Sequence, residues 1–397
     1  MEFCKRRGSP LEKETSYSGY MKLLHTADLH LDSPFCATDA HSAEARREGQ
    51  RRVLERIFAC ASQEKCDMIL IAGDLFDSKY VTPETAQLAC RLFREAACPV
   101  VIAPGNHDPY GNGSFYKNCD LPENVYVFSS TEVQCLEFPE LRTRVFGYAF
   151  TSPALTVSPL GEAEPPAKEG WTHLLCAHAE LSAPMSRYCP LTVGDIARFG
   201  IDYAALGHIH NRPQDDSAEG VCIRYSGFAE GRSFDELGEG GVWIVTLEPG
   251  EPARLERRVI SQQRYCLDEV DLSRCVETAE LRSAIRERAA AYETLEGTHL
   301  RLFLTGTVEP EQLADLPGMA RELQGTLASL ELRDLTLPLT DTKALSQDIT
   351  LRGAFYRALY SQLMDDDPGV RKRAAQALQI GLAAIDNHRI PERRDEQ

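Results

Sequence analysis

Residues 68–77 run Met68-Ile69-Leu70-Ile71-Ala72-Gly73-Asp74-Leu75-Phe76-Asp77. The apolar run at its start has no polar alternation, the pattern of a strand buried on both faces. Gly73 then permits the tight turn or close backbone approach that the chain needs before Asp74. Upstream, residues 43–64 predict a helix, and Leu23-Leu24 leads into a loop. Downstream, 83–97 predicts a helix and 100–103 a second buried strand. Short apolar runs alternating with helix-length stretches signify an α/β fold. In open α/β sheets the functional site lies beyond the carboxyl ends of the strands, which is where Asp74 and Asp77 fall.

A chain of 397 residues exceeds one ordinary domain. Its 43% hydrophobic and 26% charged residues fit a soluble globular protein. No apolar run approaches the length of a membrane span, and the first residues lack the apolar region of a secretory signal. The 13 cysteines are scattered with no Cys-x-x-Cys pair, so they read as small core hydrophobes in a reducing cytoplasm. The formal charge is −17, and residues 21–260 carry 22 basic against 34 acidic side chains. Such a balance does not point to nucleic acid. A polyanionic substrate would need local positive charge, from metals or clustered arginines.

Residues 1–20 are polar and aperiodic and read as a disordered leader, with Met21 as an alternative translation start. The α/β pattern fills residues 21–260, with a Pro/Gly/Ser-rich loop at 151–170 and further strands at 174–177, 203–206 and 241–247. Near Ile260 the texture changes. Strands at 265–270, 299–305 and 331–337 alternate with helices at 277–293 and 309–327, giving a small α+β capping domain at 261–340. Residues 341–397 form a helical segment. There Leu351, Phe355, Leu359 and Leu363 recur every four residues, and Val370, Ala374, Leu378, Leu382 and Ile385 repeat the stripe. Between them Asp367-Pro368 suits an N-cap and first turn. The plain reading of that pair is a helical hairpin packed on its own domain.

Five segments place metal-ligating side chains at the ends of expected strands. They are His25-Thr26-Ala27-Asp28-Leu29-His30, Gly73-Asp74-Leu75-Phe76-Asp77, Gly105-Asn106-His107-Asp108, Cys176-Ala177-His178 and Gly207-His208-Ile209-His210. In extended chain, Asp28 and His30 point to one side, as do His208 and His210, so the two pairs can pinch one cation. Gly73, Gly105 and Gly207 sit just before the ligands. Carboxylate, imidazole and amide donors without thiolate suit Mn²⁺, Fe²⁺ or Zn²⁺ in a hydrolytic site. A shared carboxylate can hold two cations about 3.5–4 Å apart and clamp a phosphoryl group.

In this order, Asp-x-His, Gly-Asp-x-x-Asp, Gly-Asn-His-Asp, a lone His and Gly-His-x-His resemble the calcineurin-like metallophosphoesterases. The fuller strings HTADLHLDSPF, IAGDLFD, APGNHD and LGHIH are similar to SbcD-type DNA repair exonucleases, especially a YhaO-like bacterial branch. The resemblance covers residues 21–260 by motif and the remainder by layout only. It implies a sandwich of two mixed β-sheets flanked by helices, and two divalent metal ions, Mn²⁺ foremost. Asp28, His30 and His210 would hold the first, Asn106, His178 and His208 the second, and Asp74 would bridge them. His107 would contact the scissile phosphate and assist the leaving group without ligating, and Asp108 would orient it. Asp77 has no settled role. The implied activity is metal-dependent DNA phosphodiester hydrolysis, as an exonuclease in DNA repair. The implied partners are DNA, an SMC-like ATPase gripped through C-terminal helices, and a second copy in a homodimer.

Three other readings compete: a serine/threonine phosphatase, a phosphodiesterase acting on a smaller phosphoester, and a non-catalytic assembly subunit. Such phosphatases continue Gly-Asp-x-x-Asp with Arg-Gly and end the third motif in Glu. Here Ser78-Lys79 and Asp108 stand instead. His25 and His173 match no motif and read as structural; His41, His299 and His388 read as solvated. Arg47, Arg51 and Arg52, in the densest basic run, partly share a helix face and could meet a phosphate backbone. A solvated face paired with Glu44, Glu48 and Glu55 explains them equally well.

Overall fold

A computed structural model describes residues 4–5, 20–35, 40–77, 81–165, 167–168, 170–211, 217, 220–293, 297–336 and 342–385. Two compact units are present: Met1–Gly231 with Glu239–Gln262, and Arg232–Gly238 with Gln263–Gln397. The first contains strands β1 Met21–Thr26, β2 Met68–Ile71, β3 Val100–Ile102, β4 Val125–Val127, β5 Gln134–Phe138, β6 Thr143–Gly147, β7 Thr172–His178, β8 Tyr203–Gly207 and β9 Cys222–Tyr225. β10 Gly238–Leu247 and the first half of β11 Arg254–Asp271 complete it. One sheet runs β11-β10-β1-β2-β3-β4, with β1 to β4 parallel and β10 antiparallel to β1. The other runs β5-β6-β7-β8-β9, antiparallel only at β5–β6. Of the expected leader, Cys4 and Lys5 pair with Cys135 and Leu136 on the edge of β5, Tyr20 precedes β1, and the rest lies outside the described residues.

The two-residue repeat of a strand sorts side chains between faces. Met21, Leu23, Met68, Leu70 and Val101 share one core with Val145, Leu174, Cys176 and Tyr203, so the two sheets pack face to face. On the opposite face, Leu24, Ile69, Ile71 and Ile102 pack on Leu54, Ile57 and Phe58 of α1 Ala40–Gln63 and on Leu92 and Phe93 of α2 Pro83–Glu95. The outer face of the second sheet, with Leu175, Ala204 and Leu206, covers Ile196 and Phe199. The layers are thus α/β/β/α. Thr82 caps α2 by accepting from the Thr85 N–H at 3.3 Å, with Pro83 in the first turn where its missing N–H costs nothing. Within the expected loop 151–170 the described residues hold the short helix Pro159–Glu162 and an isolated bridge from Leu155 to Tyr188.

In the second unit the remainder of β11 pairs in parallel with β12 Thr298–Thr305, which pairs with β13 Ser329–Asp334. Leu281 and Ile285 of α3 Thr278–Ala290 and Met319 and Leu323 of α4 Leu316–Leu323 close its core with Leu300, Leu302 and Leu330. The expected helix over 309–327 is two pieces, a 3₁₀ turn at Pro310–Leu313 and then α4. Asp315 forces the restart by accepting from the Gly318 N–H at 2.9 Å, with Pro317 in the first turn. The change of texture near Ile260 falls inside one continuous strand, β11. His299, expected to be solvated, stacks on Tyr265 at 4.6 Å and 12° and hydrogen-bonds Ser329 Oγ at 2.8 Å; His388 lies outside the described residues.

The C-terminal helices are α5 Thr342–Gln347, α6 Leu351–Leu363 and α7 Pro368–Ile385. They form their own small core of Leu345, Tyr356, Leu378 and Leu382, flanked by Phe355, Leu359 and Leu363. A Cβ on Gly381 would meet the Phe355 ring at 2.1 Å, so the pair packs on itself at glycine distance. Leu351, read as part of the stripe, stands 67% exposed. Asp367 caps α7, accepting from the Gly369 N–H at 2.7 Å. Among the described residues no helix is long and apolar enough to cross a membrane.

Candidate metal centre

β1, β2, β3, β7 and β8 end where the five ligand-bearing segments begin or, for His178, end. Parallel β1-β2-β3 and parallel β7-β8 place those carboxyl ends together. Two glycines show how closely the loops approach. Gly73 has φ 94°, and a Cβ there would strike His178 Nδ1 at 2.3 Å. At Gly207 it would strike the Ala72 carbonyl oxygen at 2.0 Å.

Asp28 and His30 converge, but not by the extended geometry expected of them. Their φ angles are 55° and 47°, and Asp74 and His208 also have positive φ, 49° and 101°. Non-glycine residues rarely adopt that region, and each costs about 1–3 kcal/mol. The loops hold them there. Asp28 N–H donates to Gly73 O at 3.1 Å and His30 N–H to Asp74 O at 3.0 Å. Gln50 of α1 donates to the carbonyls of Leu29 and His30, at 3.3 and 2.8 Å.

Three groups each bring one ligand atom per residue within 4.8 Å of the others: Asp28, His30 and His210; His30, Asp74 and His107; Asp28, Asp74 and His178. His30 Nε2 faces His210 Nε2 at 3.1 Å. His178 Nε2 lies 3.2 Å from Asp74 Oδ2 and 2.9 Å from Asn106 Oδ1. The ring of His208 stands edge-on to that of His178, centroids 5.1 Å apart, and its backbone N–H donates to both Asp28 oxygens at 3.0 and 3.1 Å. Asp28, His30, Asp74, Asn106, His178 and His210 thus lie side by side, with the His208 ring against that of His178.

Three further ring nitrogens are fixed. His178 Nδ1 donates to the Ala72 carbonyl at 3.0 Å, which leaves Nε2 as the ligand nitrogen. His30 Nδ1 and His107 Nδ1 both meet Asp77 Oδ1, at 3.1 and 2.9 Å. Asp77 is thus the orienting carboxylate of two imidazoles. The expectation that Asp108 orients His107 is corrected here. Asp108 accepts from the N–H groups of Gly105 and Phe76, at 2.8 and 3.1 Å, and from Tyr116 Oη–H at 2.5 Å, whereas His107 Nδ1 meets Asp77. It ties the Gly73 and Gly105 loops together.

The electrostatics follow from burial and proximity. Burial raises the Asp28 carboxyl against the pull of His210 and His178. Burial opposes charge on Asp74 too, but His178, His30 and His107 outweigh it and hold that carboxyl below its usual range. Burial pulls His178 down, and Asp74 and Asp28 lift it to about 9. His208 is pushed down to about 3, by burial first and then by His178. His107 is raised by its bond to Asp77, and Asp108 is raised to about 6 by burial and then by Asp74. Among the described residues neither Asp28 nor Asp74 pairs with Lys or Arg; their partners are imidazoles. Two buried carboxylates ringed by imidazoles and an amide suit divalent cations.

Part of the basic run on α1 is paired with acids of the same helix. Arg47 pairs with Glu44 at 2.7 Å, Arg51 with Glu44 and Glu48 at 2.6 and 2.9 Å, and Arg52 bonds Gln262 at 3.2 Å. The two unassigned histidines are buried and bonded, His25 to Tyr203 Oη and His173 to Phe199 O.

Residues 21–212 match the family model of the calcineurin-like phosphoesterases, a stretch that contains every ligand from Asp28 to His210. The chain is 32% identical over 245 residues to the uncharacterized metallophosphoesterase YhaO of Bacillus subtilis (strain 168). That alignment covers 58% of this chain and 58% of the relative's length. Among solved structures it is similar to a dimetal phosphatase from Danio rerio, at 10% identity and a TM-score of 0.38, covering 60% of this chain and 96% of that one. It is also similar to vacuolar protein sorting 29 from Cryptosporidium parvum, at 11% identity and a TM-score of 0.28, covering 60% and 98%.

Proposed function

We propose that this chain is a metal-dependent DNA nuclease, an exonuclease of DNA repair that hydrolyses phosphodiester bonds. The observation that carries a catalytic reading is the Asp77 carboxylate gripping both His30 and His107, whose rings lie 4.7 Å apart. A scaffold kept only for binding has no need of a second imidazole oriented against the ligand cluster. Asp28, His30 and His210 would hold one cation and Asn106, His178 and His208 another, with Asp74 between. When bound, the pair supplies positive charge for the phosphate and acidifies water, Mn²⁺ being the ion we favour.

The chain's own residues do the rest. Asp74 Oδ1 accepts from the His107 N–H at 2.9 Å, which ties the third motif to the bridging carboxylate. His107, with its side chain 45% exposed and Nδ1 taken by Asp77, has Nε2 left for the departing oxygen. Cations at this cluster also answer the charge problem of an acidic chain on a polyanion, since Arg47 and Arg51 already hold carboxylates. For either to contact DNA it must exchange Glu44 for a phosphate.

Ser78-Lys79 after Asp77, and Asp108 where serine/threonine phosphatases have Glu, favour a diester over a phosphoprotein. An SMC-like ATPase held through residues 341–397, and a homodimer, belong to the same reading. The test is incubation with Mn²⁺ and end-labelled duplex and single-stranded DNA, beside a phosphopeptide. Shortened DNA with intact phosphopeptide supports the nuclease. Intact DNA with released phosphate points to a phosphatase, and no turnover of either substrate to a non-catalytic subunit.

A further inference from the structure

One aromatic side chain beside the ligand cluster is left in solvent. Tyr188 packs its ring on His208, with centroids 4.6 Å apart and an interplanar angle of 38°, yet remains 38% exposed. Among the described residues its hydroxyl has no hydrogen-bond partner. By contrast Phe150, which meets His178 from another side at 5.7 Å, is fully buried. Phe150 is core; Tyr188 is not.

The backbone around Tyr188 is held firmly. Its carbonyl accepts from the Glu180 N–H at 2.9 Å, two residues beyond His178. It bridges Leu155, whose N–H donates to Arg187 O at 2.9 Å and whose carbonyl accepts from the Cys189 N–H at 2.6 Å. Cys189 is fully buried, bonds Tyr148 Oη at 3.0 Å, and sits in the left-handed region at φ 55°. A non-glycine residue there costs about 1–3 kcal/mol. The turn sends Cys189 into the core and leaves Tyr188 outside, against a ligand. Arg187, the next residue back, is exposed and has no ion pair among the described residues. Arg47 and Arg51 of α1 already hold carboxylates; Arg187 does not.

We infer that Arg187-Tyr188 is a nucleotide subsite at the edge of the metal centre, in which the Tyr188 ring stacks on a nucleobase of the substrate. The inference rests on the nuclease reading for its substrate class. An exposed ring held rigid next to the reacting phosphate loses little freedom on stacking, and any base offers it a π face. The adjacent guanidinium suits a neighbouring phosphate.

The test compares Tyr188→Leu and Tyr188→Phe with the wild type, all loaded with Mn²⁺. Affinity for ethenoadenosine 5′-monophosphate is read by fluorescence, and affinity for ribose 5-phosphate by competition against it. Leu is expected to weaken the nucleotide roughly 5- to 150-fold, the range for one lost base stack, and to leave ribose 5-phosphate unchanged. Phe is expected to behave as wild type. For a dinucleotide substrate, KM should rise with kcat held within about twofold. Equal weakening of both ligands, or loss of bound metal in Tyr188→Leu, would overturn the inference and make the ring a support for His208. A wild type that cleaves no DNA but binds the nucleotide through Tyr188 would sink the nuclease reading and leave the subsite standing. Cleavage and binding indifferent to Tyr188 would do the reverse.

Discussion

Replacing Asp77 by Asn tests the centre at the group on which two functions meet. The amide keeps the shape and one acceptor oxygen but removes the charge. In the structure that oxygen serves His30 Nδ1 at 3.1 Å and His107 Nδ1 at 2.9 Å, and the side chain is only 16% exposed. A hydrogen bond to a charged group is worth about 1.5–3 kcal/mol and a neutral one about 0.5–1.5, so each imidazole loses roughly 1 kcal/mol or more. For His30 this is an outer-shell loss, expected to weaken its cation about 10- to 100-fold. For His107 the proton donor is left in place but less well held. The rate at saturating Mn²⁺ should therefore fall about fivefold or more, short of the roughly 10²–10⁴ expected when a positioned acid is removed. The assay is kcat and KM on a chromogenic phosphodiester across a Mn²⁺ titration, with metal content after dialysis measured by elemental analysis. Asp108→Asn is the control: its bonds run to Gly105, Phe76 and Tyr116, so it should lower the unfolding midpoint more than the Mn²⁺ affinity. Wild-type metal affinity and kcat in Asp77→Asn would refute the two-imidazole role.

His107→Ala should retain its metals and lose roughly 10²–10⁴ in kcat; loss of metal along with activity would make His107 a ligand. Asp74→Ala should strip both cations and abolish hydrolysis, which elemental analysis and the same diester assay check together. His25 is fully buried, and burial lowers its pKa to about 3, so the folded state resists protonating it. Its contribution to stability is complete above its unfolded pKa of about 6.5 and is lost as pH falls from there toward the folded value, by up to about 1.4 kcal/mol per unit. Urea midpoints at pH 7.5 and 5.0 should therefore differ less in His25→Gln than in the wild type; an equal difference would count against the shift. Gly207→Ala would set a Cβ 2.0 Å from the Ala72 carbonyl, and a core overfilled that way should lose about 1–3 kcal/mol in chemical denaturation.

The amino-acid sequence by itself determined the strands that carry the site and the candidate ligands at their ends. Apolar runs at 68–72, 100–103, 174–177 and 203–206 needed only strand periodicity, and each ligand sits within a few residues of a strand end. The tertiary structure decided which carboxylate holds which imidazole. Asp108 is the chain neighbour of His107, yet Asp77 is its partner, because the Gly105 loop turns the Asp108 carboxylate onto Gly105, Phe76 and Tyr116. Spacing rules for extended chain also failed at Asp28 and His30, which long-range bonds to Gly73 and Asp74 hold in the left-handed region. Tyr188 carries no motif, and only the strained Cys189 turn sets it on His208, a residue that follows another strand. Local propensity and hydrophobic period act over a few residues and can be read along the chain. Hydrogen-bond partners and covered rings are chosen through space, among groups the fold brings together from distant segments.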